Sequence, residues 1–254
     1  MTDWATIRGE CVLWEGSGVM ALNKPAGISV TGERHGDDVV SLAAAAGEKL
    51  YPVHRIDKAT SGLVLIATDL SLHGDLTRQF NKRTVGKAYL AATRAVGLPD
   101  FGVVDLPLST GRKNRVRVAA PRETIVNVNG HWSVPDSEVF RYAKTYPSTT
   151  RFAKICQVGD KTVLAVRPET GRRHQIRIHL AWIGCPIVSD PLFDRRGKGR
   201  MLLHSWRLSF DAAWCDGERI NLEASPGGDF WASLPTIYPP EILERASQAM
   251  AALA

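Results

Sequence analysis

Tyr51-Pro52-Val53-His54-Arg55-Ile56-Asp57-Lys58-Ala59-Thr60-Ser61-Gly62 places one carboxylate, Asp57, two residues after an arginine and among small and hydroxyl residues. The sequence turns apolar on both sides, over Leu50 to Val53 and over Leu63 to Ala67. This pattern predicts strand, tight loop, strand, with Asp57 presented at a strand edge. A carboxylate held in a polar loop between buried strands is a candidate nucleophile or base.

Upstream, Val12-Leu-Trp-Glu and Val19 to Lys24 read as two short strands ending in the turn Pro25-Ala26-Gly27. The alanine-rich stretch Val39 to Ala46 predicts a short helix stopped by Gly47. Downstream, Leu72, Leu76 and Phe80 recur four apart and line one face of a helix. The basic loop Asn81-Lys82-Arg83 and Gly86-Lys87 follow, then a strand over Ala88 to Ala92. Residues 97–150 predict hairpins and surface loops, a variable insertion that includes the basic patch Arg112-Lys-Asn-Arg115-Val-Arg117. Two strands joined at Gly159-Asp160 occupy 151–167. Thr170-Gly171 is then expected to cap a helix from about Arg172 to Ile183. Strands are expected around Leu202-Leu203 and over Arg207 to Phe210, and a Pro-capped helix over 236–253. Short strands broken by a few helices indicate an α+β fold with a mixed, largely antiparallel central sheet.

The chain has 254 residues, 44% hydrophobic and 23% charged, enough for one large domain or two lobes sharing a sheet. No window approaches a membrane span, and the start lacks a signal-peptide pattern. Cys11, Cys156, Cys185 and Cys215 are scattered without metal spacing, so free thiols in a reducing cytoplasm are expected. The net charge of +6 is uneven: residues 1–210 carry 30 basic and 19 acidic side chains, and residues 211–254 carry two and seven. A basic body followed by an acidic C-terminal extension suggests a polyanion partner, and 22 arginines against 10 lysines suit phosphate contacts.

On the expected helix, Arg173 and Arg177 lie four apart and would project over a groove, while Ile176, Leu180 and Ile183 face the sheet. Arg177 beside Asp57 would favour the ionised carboxylate that attack at a sugar carbon requires. Taken singly, Asp57 reads as a turn former, Tyr89 as a core aromatic and Arg177 as a solvated helix charge. His54, His174, His179 and His204 lack a carboxylate at metalloprotease spacing, so buried hydrogen-bonding histidines are expected and no metal.

In order, these segments resemble the RluA-type pseudouridine synthases. That family's catalytic loop, His-Arg-Leu-Asp, two variable residues, then Thr-Ser-Gly, stands here as His54 to Gly62 with Ile56 for Leu. Its later motif, Thr-Gly-Arg-x-His-Gln-Ile-Arg-x-His-Leu, is matched by residues 170–180. Asn23 to Gly27, Lys87-Ala88-Tyr89, Gly184 to Ile187 and Leu203-His204 also match, so the motif-bearing core runs over about 12–210 of one catalytic domain. The family's usual Gly-Asp after that Pro-Ile is replaced by Val188-Ser189-Asp190, followed by a basic loop to Arg200. The N-terminal S4 domain of many relatives has no counterpart in the roughly ten residues before the core.

The resemblance implies a two-lobed fold with a central cleft and an RNA uridine isomerase acting on structured RNA, rRNA or tRNA. It implies Asp57 as the catalytic aspartate, Tyr89 as the tyrosine against the base and Arg177 as the arginine paired with the aspartate. Arg55 would occupy the space left by the target base, with His54 and Thr60 in the same loop. Arg172, Arg173, Lys82, Arg83 and Lys87 are candidate phosphate contacts. No cofactor, nucleotide or metal is implied, and a monomer is the default. A non-catalytic RNA-binding or chaperone protein on the same fold is the rival reading. A carboxylate-dependent glycosidase is a third, and it requires a second acid that these motifs do not supply.

Overall fold

The computed structural model describes residues 3–32, 38–111, 115–215 and 217–253. In chain order, α1 (Trp4–Cys11) precedes β1 (Val12–Gly16), β2 (Val19–Lys24) and α2 (Val39–Ala45). Then come β3 (Tyr51–Pro52), β4 (Ser61–Ala67), α3 (Leu70–Lys82) and β5 (Gly86–Thr93). Six short strands follow: β6 (Phe101–Asp105), β7 (Leu108–Thr110), β8 (Val116–Val118), β9 (Val126–Val128), β10 (His131–Ser133) and β11 (Thr145–Tyr146). The long hairpin β12 (Thr149–Val158) and β13 (Lys161–Pro168) leads to α4 (Gln175–Trp182). The order ends with β14 (Leu203–Ala212), β15 (Glu218–Glu223), α5 (Gly228–Trp231) and α6 (Pro239–Ala252). The fold is α+β with mostly antiparallel pairing. It divides into two compact units, Met1–Lys87 with Leu203–Pro226, and Ala88–Leu202 with Gly227–Ala254.

In the first unit β4 is the central strand. It pairs antiparallel with β2 and β3 and parallel with β14, which in turn pairs with β15. Every residue of β4 is buried, which accounts for its unbroken apolar run. Its two faces go to different layers. Leu63 and Leu65 pack with Leu76, Phe210 and the half-buried Phe80, under α3. Val64 and Ile66 pack with Trp4, Ile7, Val39 and Ala43 from α1 and α2. The helix α1 has no counterpart among the sequence expectations. Its signal is Asp3, whose carboxylate accepts the Thr6 amide at 2.8 Å and caps the first turn.

In the second unit β13 lies between β5 and β12, and β12 also pairs with β6. β10 joins β6 in parallel and carries β9 antiparallel. β11, β7 and β8 form a small separate sheet. The stretch 97–150 therefore contributes more than surface hairpins. Val104, Leu106, Leu108, Val118 and Trp132 are buried. The Arg122 guanidinium donates to the Ala181 and Trp182 carbonyls at 2.9 Å each, covering the exposed end of α4. The acidic stretch is folded too: Asp211 and Ala212 extend β14, β15 pairs with it, and α6 packs on β12 and β13. Of the basic patch, Arg112, Lys113 and Asn114 lie outside the described residues.

Candidate active site

Asp57 stands in the loop between β3 and β4, half-buried, with Arg55 exposed and Ile56 buried in the core. The Thr60 amide donates to the Asp57 carbonyl at 3.0 Å and closes the turn. Beneath it lies Lys24, fully buried at the end of β2. Its ammonium donates to the Pro25 and Ile28 carbonyls at 2.7 Å each and to the Lys58 carbonyl at 3.4 Å. The Gly27 amide donates to the same Lys58 carbonyl at 2.8 Å. Three acceptors around three N–H donors satisfy a charge that would otherwise be costly to bury. The turn Pro25-Ala26-Gly27 and the Asp57 loop are thereby held as one piece. Spacing alone does not reveal this role of Lys24, because it does not show which carbonyls a turn leaves open.

The far end of the loop is fixed as firmly. Ser61 pairs with His204 across β4 and β14, and the Ser61 hydroxyl meets His204 Nδ1 at 2.7 Å. His204 Nε2 lies 2.8 Å from the Ala224 carbonyl. A carbonyl only accepts, so Nε2 carries the proton and Nδ1 accepts from serine. Gly62 has φ +105°, and a Cβ there would stand 2.2 Å from the Ser205 carbonyl oxygen. Only glycine fits. Hence the loop ends in Ser-Gly: one residue binds β14 through its hydroxyl, and the other lets the β14 backbone approach.

His54 turns inward. Its Nε2 accepts the Leu65 amide at 2.8 Å, and its ring stacks on Phe80 with centroids 4.2 Å apart. Burial, with Lys87 adding to it, pushes its pKa down to about 3. It is therefore neutral and serves the β4 backbone. Lys87 is half-buried at the start of β5, and burial first, then Arg83, lowers its pKa to about 8. Lys82 and Arg83 are exposed at the end of α3, where Arg83 adopts a left-handed C-cap with φ 62°.

In the second unit Tyr89 is half-buried on β5 opposite Val166 of β13. The motif at 170–180 folds differently from its expected helix. α4 begins at Gln175, because His174 takes a left-handed conformation at φ 58°. The Gln175 side chain replaces the missing turn: its Oε1 accepts from the Thr170 hydroxyl, and from the Arg172 amide at 3.1 Å. Its Nε2 donates to the Thr149 carbonyl at 2.9 Å and the Thr150 hydroxyl at 3.1 Å. His179 Nδ1 lies 2.9 Å from that hydroxyl, and its Nε2 lies 3.0 Å from the Leu106 carbonyl. Burial lowers the His179 pKa to about 4, with the Leu106 carbonyl opposing. The neutral ring accepts from Thr150 and donates to Leu106.

Arg173 and Arg177 therefore do not share a helix face. Arg172 and Arg173 are exposed in the turn before α4, and the Arg172 guanidinium lies 4.8 Å from the Tyr146 ring centroid. Arg177, on α4, is 4% exposed. Its Nε and one terminal nitrogen donate to the two carboxylate oxygens of buried Asp190 at 2.7 and 2.8 Å. Sequence reasoning gave Asp190 no role. The family's usual Gly-Asp step was its signal, with Ser189 here in the left-handed conformation at φ 58°. Among the described residues, no helix is long and apolar enough to cross a membrane, and no cluster of His, Cys, Asp and Glu could hold a metal ion.

The profile of the RNA pseudouridylate synthase family matches residues 18–182, which span both the Asp57 loop and Arg177. The chain belongs to this family. Its activity is that of an RNA pseudouridine synthase, an isomerase. It is 32% identical over 206 residues to the dual-specificity RNA pseudouridine synthase RluA of Escherichia coli K12, covering 78% of this chain and 85% of that protein. It is 33% identical over 213 residues to the ribosomal large subunit pseudouridine synthase C of Vibrio cholerae, covering 79% of this chain and 61% of the relative. The solved human RNA pseudouridylate synthase domain containing 4 shares the fold, with TM-score 0.69 and 23% identity over 94% of both chains.

Proposed function

We propose that this pseudouridine synthase isomerises specific uridines in structured RNA, rRNA or tRNA, with Asp57 breaking the N1–C1′ bond. The carboxylate either adds to C1′ as N1 departs with the bonding pair, or removes a sugar proton on a glycal route. The freed uracil turns and C5 bonds to C1′, either as the Asp57–C1′ ester bond breaks and frees the carboxylate or as Asp57 returns the sugar proton to the glycal; the C5 proton then leaves and N1 gains one. Atoms and charge balance without an oxidant or reductant, so the reaction calls for no cofactor. Tyr89 serves at C5, and Arg177 steadies the charged aspartate. A base in a duplex or stacked loop hides both reacting carbons, so the nucleotide must be everted, which costs on the order of a few kcal/mol. The exposed Arg55 fills the vacated stack, with Thr60 and His54 shaping its loop. The same reading makes the chain a monomeric, cytoplasmic enzyme of a single catalytic domain. The names of relatives such as the ribosomal large subunit synthase favour rRNA.

One observation carries this reading: the Asp57 loop is pinned at both ends, by the buried Lys24 ammonium and by the Ser61–His204 contact. Such a fixed carboxylate suits attack at one carbon. The experiment is tritium release from RNA labelled at uridine C5. Asp57→Asn should release none while binding RNA and unfolding like the wild type. Wild-type release by that variant rejects Asp57 as the reacting group.

A further inference from the structure

We propose that Tyr142, backed by Phe140 and Arg117, is a stacking platform for an unpaired base of the substrate RNA. Tyr142 is 74% exposed, yet its ring is not left to rotate. One face stacks on Phe140 with centroids 5.0 Å apart and planes inclined by 25°. Arg117 holds the pair from the side: its guanidinium lies 4.9 Å from the Phe140 centroid and donates to the Tyr142 hydroxyl at 3.1 Å. Arg117 itself is fixed on β8 opposite Ser109, and the Phe140 amide donates to the Ala119 carbonyl at 2.7 Å.

The result is a braced two-ring stack whose outer face is open to a third ring. Every base offers a flat π-face, so such a surface takes unpaired nucleotides with little sequence preference. The charges around it select a polyanion. Arg115, Arg141 and Lys144 are exposed, and no carboxylate occurs from Val139 to Tyr146. An aromatic stack held by Arg117, on a segment that carries exposed Arg141 and Lys144, fits a single strand, whose phosphates run beside its bases. A regular duplex keeps its bases stacked on one another and could use only the cations. The partner is thus a single-stranded or looped segment of RNA. The inference rests on the proposed RNA substrate and adds a binding element for unpaired RNA from the stretch 97–150.

The test uses a single-stranded RNA of about ten nucleotides carrying 2-aminopurine, whose fluorescence is quenched on stacking. Tyr142→Ala should weaken binding about tenfold and lose the quench, with the salt slope of binding unchanged. Tyr142→Phe, which keeps the ring, should bind within about twofold of the wild type. Arg115→Ala should instead lower the salt slope by about one and keep the quench. Tyr142→Ala binding and quenching like the wild type overturns the platform, as does Tyr142→Phe failing as badly as alanine. Pseudouridine mapping in RNA treated with the wild-type protein separates the two levels. Pseudouridine formed there with no effect of Tyr142→Ala on binding sinks only the platform, whereas none formed sinks the proposed RNA substrate and the platform with it.

Discussion

Arg177 and Asp190 form a two-pronged ion pair sealed from solvent, with N–O distances of 2.7 and 2.8 Å and exposures of 4% and 0%. The pair fixes the plane of the guanidinium, which a single contact would leave free to swing. Asp190 also accepts the Leu192 amide at 2.8 Å, so it binds the turn after Pro186 to α4. Asp190 is therefore a positioning residue for Arg177.

Asp190→Asn removes the charge that Asp190 presents to a buried guanidinium. It should lower unfolding stability in urea by about 3–5 kcal/mol. Replacing both partners with apolar residues, Arg177→Met with Asp190→Leu, should restore most of that stability, because neither charge is then buried. Tritium release should stay lost in the double variant. A double variant that is both stable and active would show that the pair serves the fold alone.

Gly62→Ala tests the close approach of β14 to the loop. The added Cβ would meet the Ser205 carbonyl oxygen at 2.2 Å and its amide nitrogen at 2.6 Å, at a φ of +105°. Backbone atoms cannot swing aside as a side-chain tip can. Strain and overpacking together should remove on the order of 3 kcal/mol or more. Thermal unfolding measures it, and Ala59→Gly, at a neighbouring loop position, is the control expected to stay within about 1 kcal/mol.

Two inward-turned imidazoles should contribute to the acid limb of stability. Folding lowers His54 to about 3 and His179 to about 4, from an ordinary value of 6.5. Below pH 6.5 the unfolded chain takes up protons that the folded chain refuses, so stability falls with acidification. The loss runs down to about pH 3 for His54 and about pH 4 for His179. His54→Gln can still accept the Leu65 amide but cannot titrate. Urea midpoints between pH 3 and 8 should show a shallower acid limb for it; an unchanged limb would remove His54 from this account.

What the sequence disclosed depended on how local the cause was. The helix α3 was readable because Leu72, Leu76 and Phe80 repeat at the helical period, and the hairpin of β12 and β13 because Gly159-Asp160 sits at its turn. The start of α4 was not. Thr170-Gly171 has the look of a cap, but the Thr170 hydroxyl is taken by the Gln175 side chain, which bonds Thr149 and Thr150 on β12. A cap decided by a strand some twenty-five residues earlier leaves no periodic trace. Residues 97–150 were opaque for a related reason. Their strands are short, and their partners are distant in sequence: β6 pairs with β12, Arg122 bonds α4 and the Leu106 carbonyl accepts from His179. In the Asp57 loop, the order of residues disclosed the candidate acid, while the buried Lys24 that steadies it emerged only in three dimensions.

RNA affinity should fall steeply with salt. Lys82, Arg83, Arg172 and Arg173 are exposed and can reach a phosphate. Replacing any one of them with alanine should reduce the slope of log K against log salt by about 0.7–0.9. Arg177→Lys should not change the slope, since that side chain is buried against Asp190. Filter binding across a salt series measures this, and a flat response for the wild type would remove phosphate contacts from the account.

Lys87 supplies a pH signature that the arginines cannot. Burial and the neighbouring Arg83 hold its pKa at about 8, against an ordinary 10.5. Between those values the unfolded chain binds a proton that the folded chain does not, so this group makes stability rise with pH across the window. RNA binding goes the other way. A phosphate attracts the charged form, and above about pH 8 the free protein must first take up a proton to present it. Affinity should therefore decline between pH 7.5 and 9.5 for the wild type, windows set on either side of that pKa of about 8. Lys87→Arg, which stays charged throughout, should bind with little change over the same range. If both proteins lose affinity in parallel, Lys87 does not contact the RNA, and its half-buried ammonium belongs to the packing of β5 alone.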